Sequence, residues 1–246
     1  MIIQRPKVLL TRKWPDRVEN KLCSRFEVEL NHDDHPFTEK ELLDALKKFD
    51  AICPSVTDKL NGTILRSRNG VHRTKILANY GAGIEHIDIE AAHCNGITVT
   101  NTPEILTEAT AEIAVALMLM IARRASEGER YIRSNRWDGW RPTHMMGRAL
   151  QGKTLGIIGM GRIGKAVARR AALGFGMDIV FQNRSRITDV FDYSARQLDD
   201  VDSVCRSADI ISLHCAASPQ TYHVINSESE FLVLEDNFRT PSGVSY

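Results

Sequence analysis

Leu155–Gly164 runs LGIIGMGRIG. The apolar start, Leu155-Gly156-Ile157-Ile158, predicts a buried strand, and Lys165-Ala166-Val167-Ala168-Arg169 continues as a helix. Between them Gly159-Met160-Gly161-Arg162-Ile163-Gly164 spells G-x-G-x-x-G. Placed between a strand and a helix, that spacing is a dinucleotide fingerprint. Gly159 permits the tight turn, Gly161 lets backbone approach a pyrophosphate, and Gly164 lets the helix lie close on the sheet. Arg162 and Ile163 open the helix, whose first N–H groups and positive dipole end suit phosphates. The bland alternative is a glycine-rich turn that binds nothing.

The following strand, Ile179-Val180-Phe181, runs into Gln182-Asn183-Arg184-Ser185-Arg186. An NAD site commonly carries Asp or Glu roughly 20 residues beyond the fingerprint, bonded to the ribose 2′-hydroxyl. Here Asn183, Arg184, Ser185 and Arg186 stand at the strand end, with no carboxylate. Guanidinium groups bind phosphate in two-pronged fashion. The substitution reads as NADP(H) preferred, with NAD(H) as the alternative. Solvated loop arginines are the competing explanation.

Outward from this unit, short apolar runs alternate with helical periodicity. Strands are expected at 154–158, 178–182 and 209–214, with helices at 162–173 and 195–206. Upstream, strands are expected at 7–11, 27–30, 51–53, 75–79 and 97–100, and helices at 15–26, from 38, and at 84–95 before Gly96. Thr38-x-x-Glu41 is a capping box, with Leu42, Leu43, Leu46 and Phe49 as the apolar face behind it. The alternation predicts an α/β protein of two doubly wound parallel-sheet domains. Asn101-Thr102-Pro103 breaks it, so the domain boundary is set after residue 102. A helix from Thr107, as N-cap, to Arg124 is apolar nearly all round and needs cover on most sides. A domain or subunit interface would supply it, and so would the core of one domain.

The 246 residues carry 32 Lys plus Arg against 31 Asp plus Glu, a net charge of +1 with no pull toward nucleic acid or an anionic membrane. At 43% hydrophobic and 26% charged the chain is too apolar for disorder. Cys23, Cys53, Cys94, Cys205 and Cys215 form no C-x-x-C pair and read as reduced thiols of a cytoplasmic protein. The longest apolar tract, Ala111–Ala122, is interrupted by Glu112 and falls short of the roughly 18 residues of a membrane span. The start lacks a signal-peptide pattern, and the histidines show no metal-ligand spacing.

Four blocks in order resemble the D-2-hydroxyacid dehydrogenases: Asn79–Asp88 (NYGAGIEHID), Asn101–Ala111 (NTPEILTEATA), Leu155–Gly164, and Asp209–Asn226 (DIISLHCAASPQTYHVIN). Arg123-Arg124, Glu127–Arg130 and Arg133–Trp137 resemble the glyoxylate/hydroxypyruvate reductases within them. The resemblance implies a flavodoxin-like substrate domain, 1–102, and a Rossmann dinucleotide domain, 103–246. It implies reversible hydride transfer between a nicotinamide and a small 2-oxo acid, glyoxylate or hydroxypyruvate, and a homodimer. Ala82 and Gly83 match the loop whose N–H groups hold the substrate carboxylate; on the residues alone, a glycine-rich turn after a strand is either an anion nest or an ordinary tight turn. Thr107 matches a residue near the nicotinamide, and Cys215 and Ala216 match the segment lying against the cofactor.

The chain departs from that family after Asn226, where it reads SESEFLVLEDNFRTPSGVSY. The family's catalytic arginine, glutamate and histidine lie further along. In register the arginine would fall at Val244-Ser245-Tyr246, Arg239 comes too early, and His214 and His223 are not at the catalytic position. No catalytic residue is matched. The tail reads as a truncation or frame change that leaves the second domain incomplete, and the alternative function is a catalytically impaired NADP-binding or dimerisation module.

Overall fold

In the computed structural model, residues 5–66 and 72–226 are described. The chain divides into two compact units, Met1–Leu106 and Thr107–Tyr246. The tail from Ser227, and every reading placed on it, lies outside the described residues.

The first unit comprises β1 (Lys7–Leu10), α1 (Asp16–Cys23), β2 (Glu27–Glu29), α2 (Glu39–Lys48), β3 (Ala51–Cys53), α3 (Gly62–Leu65), β4 (Ile76–Ala78), α4 (Ile89–Cys94) and β5 (Thr98–Thr100). Its five strands run parallel in the order β2-β1-β3-β4-β5, the flavodoxin-like order. Side-chain alternation along β1 sends Leu9 to one face and Val8 and Leu10 to the other. Leu9 joins Leu42, Leu46, Ile52 and Leu77 in one core, while Val8, Leu10 and Cys53 meet Trp14, Leu22 and Phe26 in a second. Two covered faces make the sheet doubly wound. The Thr38 capping box forms as expected: Thr38 Oγ1 accepts from the Glu41 N–H, and Glu41 accepts from the Thr38 N–H.

The second unit comprises α5 (Thr107–Ala122), α6 (Ala125–Arg133), β6 (Thr154–Ile158), α7 (Arg162–Phe175), β7 (Asp178–Gln182), β8 (Ala195–Gln197), α8 (Val201–Ser207) and β9 (Ile210–Leu213). The parallel order is β8-β7-β6-β9, the 3-2-1-4 beginning of a Rossmann sheet. Leu155, Ile157, Ile179 and Phe181 pack on one face with Ala111 and Met118 of α5 and Val167, Ala168 and Ala171 of α7. Ile158 and Val180 pack on the other with Val204 of α8.

Three local expectations are corrected and one helix is added. The helix expected at 84–95 is only α4, because Asp88 caps it by accepting from the Ala91 N–H at 2.8 Å. Ile87 upstream is bridged to Leu60 instead. The helix expected at 195–206 splits: Ala195–Gln197 pairs with β7, and α8 starts only after Asp200, which accepts from the Ser203 N–H at 2.6 Å. Thr107 is the first residue within α5, not a cap before it, and α5 ends at Ala122, with Arg124 left-handed at φ 54° ahead of α6. Finally, α6 had no counterpart in the sequence reading; Arg124–Glu127 and Glu129–Arg133 ion pairs support it.

Candidate functional site

The carboxyl ends of parallel strands on either side of a reversal in strand order leave a crevice. In the second unit β6 and β9 flank that reversal. Gly159 leaves β6 at φ +96°, and a Cβ there would lie 2.6 Å from the Cys215 nitrogen and 2.7 Å from the His214 carbonyl carbon. His214 donates its N–H to the Ile158 carbonyl at 2.8 Å, which brings the segment after β9 against the turn. Gly164 is required for a different reason, since its Cβ would strike the Gly159 carbonyl oxygen. Gly156 lets α8 approach β6, its Cβ position lying 2.7 Å from Val204 Cγ1.

Gly161 is unlike these: a Cβ there would meet nothing within 4 Å. It is the N-cap of α7 and supplies no side-chain acceptor to the helix N–H groups. The turn therefore combines open space, uncapped donors and the positive end of a 14-residue helix. Those features fit a dinucleotide pyrophosphate. Arg162 is exposed on the first turn of α7, and Ile163 packs inward on the core.

Asn183 follows β7 and accepts from the Met160 N–H at 3.1 Å through Oδ1. Its Nδ2 donates to the Ser185 carbonyl at 3.0 Å. Gln197 on β8, a residue without a sequence signal, donates to the Ser185 carbonyl at 3.1 Å and accepts from the Ile187 N–H at 3.0 Å. The later part of the loop turns its acids onto α7, where Asp189 pairs with Lys165, and Asp192 with Arg169 at 2.9 Å. Arg184, Ser185 and Arg186 are exposed, and among the described residues neither arginine has an acidic partner.

Cys215 is half-buried beside Gly159; Ala216 is exposed, with its carbonyl accepting from Thr221 Oγ1 at 2.7 Å. Burial pushes the His214 pKa down, and its Nε2 lies 2.8 Å from Ser212 Oγ. Thr107 starts α5, which packs on α7; its neighbour Glu108 pairs with Arg170 at 2.5 Å. Thus Asn183 and Cys215 meet the glycine turn directly and Ser185 is tied to Asn183, while Thr107 lies at the start of α5.

Ala82 and Gly83 belong to the first unit, in the turn after β4 at the carboxyl edge of its sheet. Buried Asn79 donates Nδ2 to the Gly81 carbonyl at 3.2 Å and to the Gly83 carbonyl at 2.8 Å. Exposed Asn101 donates to the Ala82 carbonyl at 2.7 Å. Both asparagines escaped the sequence reading, although both lie in blocks it singled out. Among the described residues, no group of three or more His, Cys, Asp or Glu is placed to hold a metal ion, and no helix is long and apolar enough to cross a membrane.

Residues 115–234 match the NAD-binding domain of the D-isomer specific 2-hydroxyacid dehydrogenases. The chain is 39% identical over 237 residues to a glyoxylate reductase of Thermococcus litoralis, covering 95% of this chain and 70% of that protein. It is 37% identical over 238 residues to one of Aeropyrum pernix, covering 95% and 69%. Among solved structures, it is similar to an NADPH-dependent glyoxylate/hydroxypyruvate reductase of Sinorhizobium meliloti in complex with NADP and malonate, at TM-score 0.77 and 26% identity over 94% of this chain and 68% of that one. It is also similar to a D-lactate dehydrogenase of Aquifex aeolicus complexed with NAD and lactic acid, at TM-score 0.76 and 26% identity over 92% and 65%. With its parallel sheets, its glycine turn and these relatives, the chain belongs to the D-isomer specific 2-hydroxyacid dehydrogenases, a family of NAD(P)-dependent oxidoreductases.

Proposed function

We propose that this protein reduces a small 2-oxo acid, glyoxylate or hydroxypyruvate, with NADPH. The observation that carries the reading is the turn at Gly159–Gly164, open above Gly161 and backed by uncapped N–H groups of α7. The dinucleotide, when bound, supplies the hydride. The chain's own residues hold it: the α7 N-terminus takes the pyrophosphate, and Arg184, Ser185 and Arg186 take the 2′-phosphate. Arginines without acidic partners at the end of β7 support NADP(H) over NAD(H), as does the NADP bound to the Sinorhizobium relative.

The unit Thr107–Tyr246 is the cofactor unit, and Met1–Leu106 is the substrate unit. In the latter, the N–H groups of Ala82 and Gly83 receive the carboxylate of the acid. A homodimer is supported by Ile113, Leu117, Met120 and Ile121, which stay exposed along α5; a second copy would cover them. Five free cysteines suit the reducing cytoplasm.

The test is NADPH oxidation on addition of glyoxylate, run beside thermal melts with NADPH. Turnover supports the reading. A rise in melting temperature without turnover points instead to a nucleotide-binding module.

A further inference from the structure

The turn assigned to the substrate carboxylate is itself held by side chains that the assignment leaves without a role. Asn79 is 3% exposed, and its Nδ2 reaches the Gly81 and Gly83 carbonyls at 3.2 and 2.8 Å. Asn101 Nδ2 reaches the Ala82 carbonyl between them at 2.7 Å. The Thr102 N–H adds a bond to the Gly81 carbonyl at 3.0 Å. Every carbonyl of the turn thus faces a side-chain amide.

A trans peptide sets its N–H opposite its C=O, and the chain has no cis bond among the described residues. Tying the Gly81 and Gly83 carbonyls to Asn79 therefore turns the Ala82 and Ile84 N–H groups away from Asn79, and tying the Ala82 carbonyl to Asn101 turns the Gly83 N–H away from Asn101. Among the described residues none of these three donates to a protein acceptor. Each carbonyl bond also polarises its peptide and strengthens the N–H as a donor.

His86 Nε2 lies 3.0 Å from Asn79 Oδ1. Flipping the Asn79 amide would aim its oxygen at two carbonyl oxygens, so the network fixes Oδ1 toward His86 and the proton on His86 Nε2. Burial holds the His86 pKa below its ordinary value, against the pull of Asp58 and Glu85, which favours the neutral ring.

We propose that Asn79 and Asn101 are positioning residues for the carboxylate of the 2-oxo acid, and that His86 fixes the orientation of the Asn79 amide. The inference rests on the reading that this turn binds the carboxylate. None of the three side chains needs to touch the acid; each acts through the peptide planes of the turn. Without the tethers, the peptide planes lose the side-chain bonds that set their direction, and the three N–H donors are no longer held in place.

The test is titration of the ¹⁵N-labelled full chain with glyoxylate, following the amide signals of Ala82, Gly83 and Ile84. In the unaltered protein all three move and saturate together. Asn101→Ala and His86→Phe each weaken glyoxylate roughly three- to tenfold, the effect of one hydrogen bond. His86→Gln, whose amide nitrogen restores the donor, stays within about twofold of the unaltered chain. NADPH affinity is unchanged in all of them. Asn101 is exposed, so its variant carries the test even where His86→Phe does not fold. If the three amides of the unaltered protein do not respond, the carboxylate reading falls and this inference with it. If they respond but Asn101→Ala binds glyoxylate as tightly, or His86→Gln fails where His86→Phe fails, the positioning roles alone are overturned.

Discussion

The Met160 N–H donates to Asn183 Oδ1 at 3.1 Å, tying the glycine turn after β6 to the loop after β7. The link follows from register, because Ile158 pairs with Gln182 and the residues just beyond both strand ends become neighbours. In the proposed reading, Asn183 couples the part of the site that would meet the pyrophosphate to the part that would meet the adenosine side. Asn183→Ala removes one hydrogen bond and is expected to weaken NADPH and NADH alike, by roughly three- to tenfold, in a fluorescence titration.

Arg184 makes the opposite prediction about selectivity. A charge-assisted bond to a 2′-phosphate contributes about 1.5–3 kcal/mol. Arg184→Ala should then weaken NADPH by roughly 10- to 150-fold and leave NADH nearly unchanged. Equal losses for both nucleotides would remove the case for NADP(H).

The glycines of the turn separate folding from binding. A Cβ at Gly159 lies 2.6 Å from the Cys215 nitrogen, on a backbone at φ +96°. Overpacking of that kind costs about 1–3 kcal/mol, so Gly159→Ala should lower the melting temperature by roughly 3–10 °C. Gly161→Ala meets nothing within 4 Å at an extended φ of −77°. It should melt with the unaltered chain and still lose dinucleotide binding, because the methyl takes the space the phosphates need. Differential scanning calorimetry with and without NADPH distinguishes the two.

In the first unit Asp50 joins strand starts. Its carboxylate accepts from Arg73 Nε at 2.8 Å and from the Lys7 N–H at 2.7 Å. The Arg73 bond first, then the Lys7 bond, holds its pKa below the ordinary 3.8. A depressed folded value means the stabilisation is complete above the unfolded pKa and is lost as pH falls through the folded one. Asp50→Asn should therefore cost about 1 kcal/mol at neutral pH, discounted for solvent exposure. The gap from the unaltered chain should close progressively below about pH 4, as measured by urea unfolding across pH.

Sequence signals were strongest where local and tertiary preferences agree. The strand–glycine–helix–strand run from Thr154 to Gln182 is apolar, bounded by glycines and buried, and both of its strands fall where the pattern put them. The Thr38 cap was legible because its chemistry spans only three residues. Ala195–Gln197 misled because Ala, Arg and Gln are good helix formers; pairing with β7 overrides that preference, and Asp200, a better cap, marks the true start of α8. The glycine turn was readable because glycine spacing states a backbone requirement. The tethers were not: Gln197, Asn79 and Asn101 act on carbonyls of separate loops, and nothing in an isolated Asn or Gln says which carbonyl it will reach. Helix α6 escaped because its support is charge pairing on an exposed surface, with no buried residue to set a period.

The most direct test of the central claim is calorimetric titration of the purified, folded chain with NADPH and, separately, NADH. Saturable binding of NADPH is expected at one site per chain, tighter than NADH and abolished by Gly161→Ala. Absence of heat with either nucleotide, from material that melts cooperatively, would contradict it.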